Sequence, residues 1–164
     1  MVAQIPTDPP AGQQWVLLSY RVPREPSTPR IAIWRRLKRH GVAQVGDGLV
    51  ALPFDARTKE SLEWIAAMVI EADGEAIVWV ATTTKSQDRD LARKLSADRD
   101  EEYAGLIDEI HAEGAEINGR TVSRYRRALR RIERRDHFRS ARREEARIAV
   151  MDMVDAAELR KETA

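Results

Sequence analysis

Hydrophobic positions follow two rhythms along this chain. Up to residue 85 they form short strand-like runs separated by two stretches of helical spacing; from Ser86 onward only the helical spacing of three and four persists. Residues 15–22 are apolar and β-favouring and are closed by Pro23, which predicts a strand. Residues 24–29 then form a loop, with Ser27 or Thr28 expected to cap a helix that carries Pro29 in its first turn. That helix should run to His40 and stop at Gly41, turning Ile33, Trp34 and Leu37 inward and Arg35, Arg36 and Arg39 outward. Two strand-like pieces, 42–45 and 49–52, flank Gly46-Asp47-Gly48, a tight hairpin signal. Thr58 is expected to cap a second helix with the core stripe Leu62, Ile65, Val69 and Ala72, ended by Gly74 and followed by a last strand over 75–82. The order β-α-β-β-α-β is the split βαβ, or ferredoxin-like, plan of an α+β domain.

Beyond it, Leu91, Ala92, Leu95, Tyr103, Leu106 and Ile110 make one helical stripe, interrupted by Arg99. Gly114 and Asn118-Gly119 predict a turn into a second helix, over 121–136, with Tyr125, Ala128, Leu129 and Ile132 on one face. His137 to Ser140 should break or kink it. A last helix from about residue 141 carries Ile148, Ala149, Met151, Val154 and Leu159. The expected organisation is therefore a Pro-rich disordered leader (1–14), a ferredoxin-like domain (15–85) and a helical extension (86–164). The four tryptophans, Trp15, Trp34, Trp64 and Trp79, fall in strands or helices and are expected in the core.

Charge changes this picture more than composition does. The formal net charge is only +1, but it is strongly polarised. Residues 86–119 carry 4 basic and 10 acidic groups, whereas residues 120–147 carry 12 arginines against 4 acids. Cysteine is absent, so disulfides, thiolate metal sites and thiol nucleophiles are excluded. No apolar run approaches the roughly 20 residues that span a bilayer, and no signal peptide is evident, so a cytoplasmic protein is expected. His40, His111 and His137 sit on three separate segments with neither metal-ligand spacing nor a Ser-His-Asp grouping. No catalytic residue, metal or cofactor is expected, and Gly46-Asp47-Gly48 reads as a turn rather than a phosphate loop.

The arginines carry the candidate chemistry, because guanidinium matches planar, bidentate binding of phosphate and other oxyanions. On the helix over 121–136, Arg126, Arg127, Arg130 and Arg134 crowd the face opposite the apolar stripe. Arg124, Arg131 and Arg135 lie along one flank, where the acidic helix could pair with them. The first helix adds Arg35, Arg36 and Arg39. These seven residues (Arg35, Arg36, Arg39, Arg126, Arg127, Arg130 and Arg134) are the candidate DNA contacts. Arg30, near the inward arc but in the first helical turn, could aim at an anion, with Arg21 at the neighbouring strand end as a second donor. Snorkelling at the helix end is the structural alternative for Arg30.

Several blocks also resemble a known family: Trp15-Val-Leu-Leu18, Pro23-x-x-Pro26-Ser27-x-x-Arg30, Trp34-Arg35-Arg36-Leu37, Gly41 and Gly48 through Pro53. Tyr103 and the run Arg131-Ile-Glu-Arg-Arg-Asp136-His-Phe138 continue the pattern. Together, over roughly 15–155, they resemble the N-terminal domain of ChrB, a chromate-resistance regulator, and are similar to the PaaX-type regulator domain and the Cas2 fold. The resemblance implies a cytoplasmic, dimeric transcriptional regulator acting on the operator DNA of a chromate-transport operon. Cas2-type nucleases hold a metal with an acid near the end of the first strand, where this chain has Ser19-Tyr20-Arg21-Val22. ChrB-like chains usually carry a second, C-terminal domain, so this sequence is expected to be a stand-alone, split or truncated version. The competing reading is a non-catalytic interaction module. In it the helical hairpin docks a separately encoded ChrB C-terminal-type sensor protein, and Arg99 marks the gap in the seam that the partner fills.

Overall fold

In a computed structural model, residues 12–114 and 117–162 are described. The expected leader therefore lies, up to residue 11, outside the described residues. The chain divides into two compact units, Met1–Ala92 and Arg93–Ala164.

In the first unit, β1 (Gln14–Arg21), α1 (Ser27–His40), β2 (Ala43–Gly46), β3 (Leu49–Pro53), α2 (Ala56–Glu71) and β4 (Glu75–Thr82) follow in order. The sheet order is β2-β3-β1-β4 with every pair antiparallel, which is the ferredoxin-like arrangement. β1 lies in the interior of the sheet, pairing Trp15 with Pro53 on one side and Arg21 with Glu75 on the other. Period-two alternation turns Val16 and Leu18 of β1, with Val50 and Leu52 of β3, onto Ile33 and Leu37 of α1 and Leu62, Ile65 and Val69 of α2. Odd-numbered β1 residues take the opposite face, where Trp79 Nε1 donates to Ser19 Oγ at 3.1 Å.

The helix starts differ from the sequence expectation. Pro26, not Ser27 or Thr28, occupies the α1 N-cap and no side chain caps it. Gly41 does end α1 in the left-handed region at φ 65°. At α2 the cap is Asp55, and Thr58 is its reciprocal partner. The Thr58 N–H donates to Asp55 Oδ1 at 2.7 Å and the Asp55 N–H to Thr58 Oγ1 at 2.9 Å, closing a capping box. The Thr58 N–H is the main cause holding the Asp55 carboxyl below its ordinary range. A depressed carboxylate pKa stabilises above the unfolded pKa and is lost as pH falls through the folded one. Asp55→Ala is accordingly expected to cost about 1 kcal/mol in urea unfolding at neutral pH. The gap between variant and parent should close below the carboxylate range.

The tryptophans overturn one expectation. Trp15 is fully buried, but Trp34, Trp64 and Trp79 are 56%, 65% and 51% exposed. On α1, Trp34 sits about 100° round from Ile33, at the edge of the buried arc rather than in it.

The second unit is helical. α3 (Lys85–Ala112) begins in the first unit and continues into the second, followed by α4 (Gly119–Glu133) and α5 (Arg143–Glu162). Tyr103, Leu106, Ile107 and Ile110 of α3 share a core with Val122, Tyr125, Leu129 and Ile132 of α4 and Ala146, Val150, Met153 and Ala157 of α5. The helix break falls where expected, with His137 to Ser140 between α4 and α5. On α5 the expected face is met only in part: Ala149 and Val154 pack against the core, but Ile148, Met151 and Leu159 are exposed, while Ala146, Val150, Met153 and Ala157 are buried. Small residues let α5 approach its neighbours closely, and a helix apolar on two sides does not reveal by periodicity which side is buried. Among the described residues no helix is long and apolar enough to cross a membrane.

Candidate nucleic-acid interface

Asn118 sets the start of α4, its Oδ1 accepting from the backbone of Arg120 at 2.9 Å and Thr121 at 3.1 Å. Burial of Val122, Tyr125, Leu129 and Ile132 then fixes the rotation of the helix. This leaves Arg126, Arg127, Arg130 and Arg134 exposed, and none forms an ion pair among the described residues. The flank behaves otherwise. Arg124 Nη2 reaches Glu113 Oε2 at 2.6 Å and lies over the Tyr125 ring, while Arg135 pairs with Glu102. Arg131, the third flanking residue, is exposed and has no ion pair among the described residues. The acidic helix α3 thus neutralises one edge of α4 and leaves its outer face positive. Arg126, Arg130 and Arg134 repeat at i, i+4, a like-charge spacing that costs roughly 0.2–0.5 kcal/mol per pair. The fold gains nothing from that row.

Arg99 corrects another expectation. It is 5% exposed and pairs with Glu102 at 2.9 Å, so the seam of α3 is occupied at that point by the protein's own ion pair. Glu102 also takes Arg135, which ties α3 to the end of α4.

A buried polar cluster lies where α4 gives way to α5. Asp136, 7% exposed, accepts the Tyr103 hydroxyl at 3.1 Å, the Ser140 N–H at 2.9 Å and the Ser140 hydroxyl at 2.9 Å. Burial first, and the neighbouring Asp136 charge second, push the Tyr103 phenol far above its usual range, so it stays a donor. The Ser96 carbonyl lies 3.2 Å from Ser140 Oγ as a second acceptor for the same hydroxyl, and Arg147 reaches Glu133 at 2.6 Å. Sequence reading singled out Tyr103 and Asp136 as separate motif residues. The structure bonds them across 33 positions. Ser140, Glu102 and Glu133 were not singled out; the signal available was an acid and a serine four apart at the helix break.

On α1, Arg35, Arg36 and Arg39 are exposed as expected. Trp34, Arg35, Lys38 and Arg39 border a shallow concavity of about 750 Å³, and Lys38 Nζ sits 5.5 Å from the Trp34 ring centre. Burial, then Arg36 and Arg39, hold the His40 pKa below its ordinary value.

Arg30 borders a second concavity, of about 450 Å³, together with Tyr20, Val22, Ile31, Trp34 and Gly48. Arg21 is not among the lining residues, because strand alternation turns it to the face of the sheet opposite Tyr20 and Val22. The three histidines remain on separate segments, and among the described residues no group of three or more His, Asp or Glu could hold a metal. What the geometry offers chemically is anion binding by exposed guanidinium groups.

Comparison with known proteins bears out the family resemblance. A family model described as Protein ChrB, N-terminal, matches residues 30–120. Protein ChrB of Cupriavidus metallidurans is 27% identical over 128 residues, covering 77% of this chain and 38% of that protein. The match therefore spans only about two fifths of that relative's own length. No solved structure matches the chain significantly. Because the family model spans more than half of its length, this chain belongs to the ChrB N-terminal family.

Proposed function

We propose that this chain is a DNA-contacting component of a ChrB-type regulator of chromate resistance, acting as a homodimer in the cytoplasm. One observation carries the reading. Among the arginines along and just beyond α4, Arg124 and Arg135 are paired with Glu113 and Glu102, while Arg126, Arg127, Arg130 and Arg134 are exposed and without ion pairs among the described residues. Exposed ion pairs stabilise by at most about 1 kcal/mol, so charge density of this kind is poorly explained by folding. It is well suited to phosphates, whose neutralisation releases counterions. Arg35, Arg36 and Arg39 of α1 supply a second basic surface for the same purpose. The operator of a chromate-transport operon is the expected DNA, and the open sheet face with Trp79 and Ile77 is the surface we assign to dimerisation. Fluorescence anisotropy with a labelled duplex tests this: binding is expected at about 50 mM salt and should weaken steeply as salt rises.

A second reading is favoured by α5, whose outward Ile148, Met151 and Leu159 form an exposed apolar stripe. In this reading the helical unit docks a separately encoded ChrB C-terminal-type protein that carries the sensor. In this reading that partner, rather than this chain, senses chromate. Loss of partner capture on Ile148→Asp with Met151→Asp, with DNA binding retained, would favour this second reading.

A further inference from the structure

We infer that the concavity beside Arg30 is a binding site for an aromatic carboxylate. Its volume of about 450 Å³ lies within the range of small-molecule sites, roughly 300–1,000 Å³. The walls are the side chains of Tyr20, Val22, Ile31 and Trp34, and Arg30 is the single charged residue among them. No carboxylate lines the space, and Arg30 forms no ion pair among the described residues. Its charge is therefore uncompensated beside a largely apolar surface. Gly48 at the border has φ 68°, and a Cβ there would strike the Tyr20 carbonyl, so no side chain fills that edge.

This lining distinguishes between classes of anion. A tetrahedral dianion such as sulfate or chromate needs several converging donors to replace its hydration, and here it would find one guanidinium. An aromatic acid instead sets its ring against Trp34 and Tyr20, removing apolar surface from water, while its carboxylate takes the planar fork of Arg30. Tyr20 can add a hydroxyl donor: burial pushes its phenol above the usual range, and the hydroxyl makes no hydrogen bond among the described residues. The inference does not rest on DNA binding, which we assign to other residues.

The test uses the uniformly ¹⁵N-labelled full chain and follows the Trp34 indole N–H, assigned by its loss in Trp34→Phe. Indole-3-acetate is expected to shift that signal saturably. Its neutral amide, and indole-3-acetate with the Arg30→Gln protein, should each bind about tenfold or more weakly, as the loss of a charge-assisted pair implies. Sulfate at equal concentration should produce no saturable shift. Equal affinity for acid and amide would overturn the assignment of Arg30. An equal response to sulfate would make this a bare oxyanion site, and no shift with indole-3-acetate would remove the site altogether. Arg30 is exposed, and unchanged signals from Trp15, Trp64 and Trp79 would show that Arg30→Gln leaves the fold intact.

Discussion

Asp136→Ala is expected to lower the stability of the helical unit by about 3 kcal/mol. The side chain is almost wholly buried and accepts from Tyr103, the Ser140 backbone and the Ser140 hydroxyl, with Arg143 Nη1 at 3.7 Å. Truncation strands the Tyr103 hydroxyl and the Ser140 N–H away from water, while the Ser140 hydroxyl can turn to the Ser96 carbonyl, and each stranded donor costs on the order of 1–3 kcal/mol, less whatever relaxation recovers. It also removes the clasp that holds residues 134–142 between α4 and α5. Tyr103→Phe removes a single donor and should cost about 1 kcal/mol. Urea unfolding followed by circular dichroism would show the midpoint moving far more for Asp136→Ala than for Tyr103→Phe, with little change in slope. Equal, small shifts would mean that the cluster is wet and contributes little.

Replacing Arg126, Arg127, Arg130 and Arg134 together by glutamine should weaken duplex binding about a hundredfold or more near 100 mM salt, with folding unharmed. The four side chains are exposed and without ion pairs among the described residues, and Arg126, Arg130 and Arg134 repel one another along the helix. Their removal therefore leaves the core formed by Val122, Tyr125, Leu129 and Ile132 untouched. Arg124→Gln is the informative control. Arg124 is engaged with Glu113 and Tyr125, so its loss should change DNA affinity much less than loss of any one outer arginine. If Arg124→Gln alone matches the fourfold variant, the paired edge of α4 would be the DNA face and the present assignment would be reversed.

Much of the fold could be read from pattern, and the reasons are physical. β1, the β2–β3 hairpin and β4 are short apolar, β-favouring runs bounded by Pro and Gly turn residues, and that combination marks strands. The rotation of α4 was legible because its apolar and cationic residues are cleanly segregated. Failures came where chemistry is ambiguous at the level of a single residue type. Trp34, Trp64 and Trp79 are large and apolar, yet the faces they occupy lie outside the core. α5 is apolar on two sides, and only packing decides that Ala146, Val150 and Met153 win over Ile148 and Met151. Arg99 looked like a flaw in a stripe; an acid one turn on, Glu102, makes it a buried pair instead. Arg21 was expected beside Arg30 as a second donor from the neighbouring strand end, and Arg30 borders a concavity that Arg21 does not line.

The most direct test of the DNA-binding account is the salt dependence of duplex affinity for the unaltered chain and for the fourfold arginine variant. Each neutralised phosphate contributes roughly 0.9 to the slope of log affinity against log salt. If the outer face of α4 contacts the backbone, the unaltered chain gives a slope of about −4 or steeper, and the variant loses about 3 to 4 of it. Identical slopes for the two proteins, or no binding by the unaltered chain at about 50 mM salt, would contradict the account.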